Sequence, residues 1–329
     1  VPPAKSPPSA PAGPVDAGPR LVRVDPERDG QRIDNLLLRE LKGVPRSRIY
    51  SMLRRGEVRV DGRRVKAGHR LVAGTEVRLP PTRTRPEAAE VRPSADFARA
   101  LEAAILFEDE DLLVVNKPAG LAVHGGSGIS AALVESLRVL RPDVRFLELA
   151  HRIDRDTSGC VLLAKKRSVL RHLHDALRDR HARKRYLALV EGSWPAKLDR
   201  LEAPLERVLA ASGERFVRVS AAGKPALSRV RVRQRLAAAT LLEVSPETGR
   251  THQIRVHLAH AGHAILGDPK YASPDSRDAA RAMGVKRLCL HAAAIAVPDW
   301  RPGEEGMRSF EAPLPADLAG LIEESAAGG

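Results

Sequence analysis

His151-Arg152-Ile153-Asp154-Arg155-Asp156-Thr157-Ser158-Gly159 is a polar nonapeptide set between two apolar runs, residues 145–150 and 160–164. Both runs have the length and residue types of buried strands. A polar loop between two core strands has fixed ends and access to solvent, which suits side chains that must be aimed. Two carboxylates, two guanidiniums and an imidazole in such a loop can form a nucleophile and its electrostatic support. The plainer reading is a chain reversal in which Asp156-Thr157-Ser158-Gly159 is the turn. The choice depends on what the rest of the chain supplies.

Downstream, Val169, Leu170, Leu173 and Leu177 line one face of an amphipathic helix. Residues 184–190 read as a strand with Tyr186 at its start, and residues 191–236 as a solvent-facing antiparallel excursion without chemistry. Leu241-Leu242-Glu243-Val244 leads into residues 247–258, which parse as a polar turn at Gly249 and a helix capped by Thr251. Gly262 ends that helix, and residues 287–292 form a further core strand before a last helix near 314–324. His257, His260 and His263 recur at intervals of three, a spacing that raises the question of metal. Cysteines are absent nearby and His263 lies beyond Gly262, so they read as packing and partner-facing histidines, with no metal site.

Upstream, residues 105–109 and 112–115 read as paired strands that run into Asn116-Lys117-Pro118-Ala119-Gly120. Gly125 and Gly126 follow His124 and allow close backbone approach. Their spacing fits neither a Walker nor a dinucleotide loop, so no nucleotide cofactor is expected. Ile33, Leu36, Leu37 and Leu41 share a helical face closed by Lys42-Gly43; Ile49, Met52 and Leu53 define a second helix ending at Gly56. Residues 57–65 alternate around Asp61-Gly62, a hairpin signal, and a strand follows at 76–79. Residues 1–20 are rich in Pro, Ala, Gly and Ser and read as a disordered tail. Residues 83–98 read as a linker between a domain at 21–82 and a larger one at 99–325.

The net charge of +14 makes a polyanion the first partner to consider. Residues 31–85 hold 15 Lys or Arg against 5 Asp or Glu, a net of +10, so the excess is concentrated rather than diffuse. Arg46, Arg48, Arg54, Arg55, Arg59, Arg63 and Arg64 are the candidate RNA-binding residues of this patch. Cys160 and Cys289 both lie in apolar runs and read as buried thiols of a reducing compartment. No apolar stretch is long enough to span a bilayer and the N-terminus carries no signal core; the expectation is a cytoplasmic monomer.

Arg32-Ile33-Asp34, Ser47-Arg48, residues 54–58 and Val60-Asp61-Gly62 resemble the S4 RNA-binding domain, whose helix pair and basic loop sit on structured RNA. Residues 151–159, Tyr186 and residues 247–258, in that order, are similar to the pseudouridine synthases that act on large RNAs. Joined to an S4 domain, they are most similar to the members that modify large-subunit (23S) ribosomal RNA. The likeness spans residues 21–325, with Ile153 where the family commonly has Leu and Cys160 where it has a plain aliphatic. It implies an α+β protein: a small S4 domain of two helices and a hairpin, then a catalytic domain on a mixed, mainly antiparallel sheet with flanking helices. It implies Asp154 as the essential carboxylate, Arg255 as its partner, Tyr186 against the uracil ring, and Arg152 in the group that replaces or guides the flipped nucleotide.

Elementary chemistry agrees. A base must leave its stack before an enzyme can work on it, at a cost of a few kcal/mol. A planar guanidinium can fill the gap, and an aromatic ring can hold the base's face. Attack at C1′ or at C6 calls for an ionised carboxylate, which a neighbouring Arg favours. Bond-making and bond-breaking balance within one substrate, so no cofactor is expected. Two other classes fit less well. A non-catalytic RNA-binding or assembly factor need not keep Asp154, Tyr186 and Arg255 together, and a glycosidase would place a second acid where Arg255 stands.

Overall fold

Ile33, Leu36, Leu37, Ile49, Met52 and Leu53 are all buried, which docks the helix Ile33–Glu40 against Arg46–Arg55. The computed structural model describes residues 15–17, 19–41, 43–84, 93–124, 132–209 and 215–327. The chain divides into two compact units, Val1–Val91 and Arg92–Gly329. In the first, Gly56 closes the second helix at φ 73°, where a Cβ would lie 2.1 Å from Arg64 Nε. Asp61 and Gly62, at φ 44° and 74°, form the hairpin turn between Arg59–Val60 and Arg63–Arg64. A four-stranded sheet results, in the order Arg20–Arg23, Glu76–Leu79, Arg59–Val60, Arg63–Arg64.

Two expectations are corrected in this part of the chain. Val15–Ala17, inside the expected tail, pairs antiparallel with Thr82–Thr84. Residues 1–14 lie outside the described residues, as do 85–92 of the expected linker. The rest of that linker begins a helix, Ala95–Ala103, where Ser94 Oγ accepts the Phe97 N–H and Leu101 is buried. A cap and two apolar residues four apart suffice once tertiary packing covers them; local composition hides that pattern.

The second unit is built on a ten-stranded mixed sheet. Its path runs Arg200–Glu202, Leu227–Arg235, Ala239–Pro246, Arg183–Glu191, Leu290–Pro298, Ser158–Ala164, Leu112–Lys117, Ile105–Glu108. Met307–Glu311 adds to Leu290–Pro298, and Glu148–Leu149 adds to Ser158–Ala164. Ser158–Ala164 and Leu290–Pro298 run parallel; the other described pairs of this sheet are antiparallel. Every residue of Ser158–Ala164 is buried. Ser158 and Gly159 therefore belong to the strand and not to the loop, and of residues 145–150 only Glu148–Leu149 is ladder-paired. Gly159 has φ 115°, and a Cβ on it would lie 2.3 Å from the Ala292 carbonyl oxygen. Glycine is what lets the parallel partner come so close beside the polar loop.

Candidate active site

The shortened loop, residues 150–157, is held by side chains buried beneath it. Lys117 is fully buried and its Nζ donates to the carbonyls of Pro118, Leu121 and Arg155, each at 2.8 Å. Burial pulls this ammonium down to about 7, while three carbonyl acceptors, one for each proton, favour the charged form. The Arg155 carbonyl also takes the Gly120 N–H at 2.9 Å. At the loop's start, His151 Nε2 accepts the Leu162 N–H at 3.2 Å, and burial lowers the imidazole to about 3. At its end, Ser158 Oγ lies 3.0 Å from His291 Nδ1, and His291 Nε2 donates to the Ala312 carbonyl at 3.1 Å. Asp154 is thus aimed from a loop pinned at both ends and in the middle.

Asp154 keeps 26% of its side chain exposed, at the wall of an open cleft of about 980 Å³. Arg255 Nη1 stands 3.5 Å from its Oδ2. Arg255 is itself immobilised: Nε and Nη2 donate to the two oxygens of Asp268, both at 2.8 Å, and both side chains are buried. The Tyr271 ring lies 5.0 Å from the guanidinium carbon. Burial works against charge on Asp268, but Arg255 and the backbone N–H groups of Lys270 and Tyr271 hold its carboxyl below the ordinary range. A fork spent on one carboxylate leaves a single edge to face the other, which fixes where the charge points.

Tyr186 lines the same cleft, and burial, with the Asp154 carboxylate adding to it, pushes its phenol above the ordinary value. Arg152 is exposed on the cleft's lining. Asp154, Arg152, Tyr186 and Arg255 therefore come together from three separated segments. Asp156 points elsewhere and pairs with Arg155 at 3.1 Å.

Other expectations shift. The helix that carries Arg255 is Gln253–His260, and its N-cap is His252 at φ 53°, not Thr251. Thr251 instead takes a hydrogen bond from Arg207. Gln253 braces the preceding turn, accepting from Thr248 Oγ1 at 2.7 Å and donating to the Leu227 carbonyl at 2.9 Å. His257 is buried between Ser228 Oγ at 3.0 Å and the Ala203 carbonyl at 3.1 Å, so it packs and does not face RNA. His263 donates to the Glu191 carbonyl at 3.0 Å beside the Trp194 ring. Among the described residues no three His, Cys, Asp or Glu side chains are grouped to hold a metal ion. Residues 191–236 do contribute: the hairpin Leu205–Leu209 with Arg215–Val219 supplies one wall, through Arg207, Val208 and Phe216. Gly125 and Gly126 fall outside the described residues.

Sequence reasoning missed Asp268, Tyr271, His252 and Lys117. Gly267-Asp268-Pro269 looks like any turn, and nothing local marks its carboxylate as buried. In the first unit all seven candidate RNA-binding arginines are exposed. Arg48 pairs with Glu57 at 2.9 Å and Arg64 donates to the Arg55 carbonyl at 2.6 Å.

Two family profiles match the chain, RNA pseudouridylate synthase over residues 111–260 and S4 domain over residues 31–77. Ribosomal large subunit pseudouridine synthase C of Escherichia coli K12 is 49% identical over 308 residues, 93% of this chain and 96% of that protein. The chain belongs to the RNA pseudouridine synthase family. The Yersinia pestis synthase of the same name is 51% identical over 301 residues, covering 91% and 93%. The solved structure of human RNA Pseudouridylate Synthase Domain Containing 4 superposes with TM-score 0.57 at 25% identity, over 69% of this synthase and 94% of that chain. The S4 unit and the mixed, mainly antiparallel sheet agree with the fold class expected from sequence.

Proposed function

We propose that this synthase isomerises uridine to pseudouridine at defined sites in large-subunit (23S) ribosomal RNA, with Asp154 as the essential carboxylate. The observation that carries the reading is the Asp154–Arg255–Asp268 array in an open cleft, with Tyr186 on the same wall. The target uridine leaves its stack and enters the cleft, and Arg152 guides or replaces it at the rim. Tyr186 holds the face of the ring. Asp154, oriented by Arg255, supports cleavage of N1–C1′; the base turns and rejoins the ribose through C5. The C5 proton departs and N1 gains one, so the reaction balances within one substrate and calls on no cofactor. The exposed arginines of the S4 unit hold the RNA through phosphate contacts. The protein acts as a monomer in the cytoplasm; among the described residues no helix is long and apolar enough to cross a membrane.

The test is release of label from large-subunit RNA carrying 5-tritiated uridine. Wild-type protein should release tritium, and pseudouridine should be lost at specific large-subunit positions in cells lacking the protein. Persistence of every large-subunit pseudouridine in such cells overturns the substrate assignment.

A further inference from the structure

We infer that His252 is a positioning residue for Asp154: together with Arg255 it holds Oδ2, so that Oδ1 is the oxygen left free to react. The inference rests on Asp154 being the essential carboxylate.

Three separate observations meet at His252. The first is its backbone. His252 has φ 53° and ψ 20°, the left-handed region, at the N-cap of Gln253–His260. Among the described non-glycine residues only Asp61 and Arg180 share a positive φ. For a residue with a Cβ this conformation is strained. The cost is not recovered as helix capping, because the side chain makes no capping hydrogen bond. The imidazole is turned into the cleft instead, where 19% of it stays exposed.

The second observation concerns its tautomer. Tyr271 Oη accepts the Val217 N–H at 3.1 Å and lies 2.6 Å from His252 Nδ1. When the phenol gives its own hydrogen to Nδ1, the imidazole proton sits on Nε2. We take this tautomer because it turns an N–H toward the Asp154 carboxylate. That nitrogen stands 3.7 Å from Asp154 Oδ2, the oxygen that Arg255 Nη1 approaches at 3.5 Å.

The third observation ties the two donors together. Asp268 Oδ1 accepts Arg255 Nη2 and the backbone N–H groups of Lys270 and Tyr271, at 2.8, 2.8 and 3.1 Å. One turn therefore sets the Arg255 fork directly and the His252 ring through the Tyr271 hydroxyl. Both contacts to Oδ2 are long for hydrogen bonds, as catalytic contacts often are before substrate closes a site. A carboxylate held twice on one oxygen presents the other in one direction, and misaiming a reacting atom is expensive in rate. No proton changes hands in this role.

The experiment uses the full-length protein, large-subunit RNA with 5-tritiated uridine, single-turnover label release and RNA affinity by filter binding. His252→Gly removes the imidazole and relaxes the left-handed backbone, so the loss is not confounded by strain. His252→Asn tolerates the same backbone and keeps an N–H donor. Tyr271→Phe frees the tautomer. His252→Gly should lose roughly 30- to 100-fold in rate at saturating RNA with affinity within about threefold, the pattern of an interaction made in the transition state. His252→Asn should recover part of that loss, and Tyr271→Phe should lose roughly three- to tenfold. A rate within twofold of wild type for His252→Gly at saturating RNA overturns the inference, as does a loss of affinity alone. Asp154→Asn run alongside separates the two levels: if it still releases label, the carboxylate assignment falls and this inference with it. If it is silent while His252→Gly is fully active, only the role of His252 falls.

Discussion

Arg255 in the cleft is buried, forked onto Asp268 and left with one edge for Asp154, whereas the seven candidate RNA-binding arginines of the S4 unit stand in solvent. The same side chain serves opposite ends. A guanidinium that must fix a reacting carboxylate is dehydrated and locked, since preorganised charge acts without reorganisation at the moment of reaction. One that must meet RNA phosphates stays hydrated and mobile, and contributes through released counterions. Locked charge is decided by tertiary partners; exposed charge is already visible in composition.

The comparison breaks first at Asp154. Asp154→Asn should reduce label release by at least about 10⁴-fold while RNA binding survives, and Asp156→Asn, whose carboxylate pairs with Arg155, should keep substantial turnover. A reversal of the two results moves the nucleophile.

Next comes Asp268→Asn. Removing the carboxylate strands the buried Arg255 charge, at about 3–5 kcal/mol of stability, and should also lower the single-turnover rate. Denaturation at several pH values sharpens this. The folded-state pKa of Asp268 is depressed. Its contribution is therefore fully present above the unfolded value of about 4 and lost as pH falls through the lower folded value. The acid limb of the wild-type stability curve should flatten in the variant.

Gly159→Ala follows. Its methyl would meet the Ala292 carbonyl at a left-handed backbone position, so a loss of about 2–4 kcal/mol is expected in a urea titration. A wild-type melt would mean the parallel pair can open at no cost.

On the solvent side, Arg54→Ala with Arg55→Ala should weaken RNA binding across sequences and lower the salt slope by about 1 for each phosphate no longer engaged. Turnover at saturating RNA should stay at the wild-type level. A fall in that rate would mean these arginines take part in chemistry. The smallest effect belongs to Arg48→Ala, because this guanidinium already pairs with Glu57. Its exposed pair contributes at most about 1 kcal/mol to stability, and affinity should change by less than about twofold.

Much of the fold was legible because its signals are local. The two S4 helices repeat their apolar residues at helical spacing, Asp61-Gly62 announces its hairpin, and Ser158–Ala164 is apolar throughout its second half. Asp154, Tyr186 and Arg255 were legible through family resemblance, and the cleft that joins them is a matter of geometry. The Ala95–Ala103 helix was hidden by the Pro- and Arg-rich stretch before it, since Ser94 becomes a cap only when Leu101 has a core to enter. The wall hairpin was hidden for the opposite reason. Its charged alternation reads as solvent-facing on both sides until Arg207 reaches Thr251 across the cleft.

By itself the sequence determined where the chain is basic, where the S4 helices and hairpin and the core strands beside the polar loop lie, and that this loop carries Asp154. Periodicity and turn chemistry act over a few residues, so they survive in one dimension. Only the tertiary structure decided that Lys117 bonds a carbonyl 38 residues away, that Asp268 is buried against Arg255, and that His252 and Tyr271 turn toward Asp154. A Lys, an Asp, a His and a Tyr are ordinary surface residues until burial removes water and leaves each with a few possible partners. That loss of alternatives is a property of the assembled sheet and its loops.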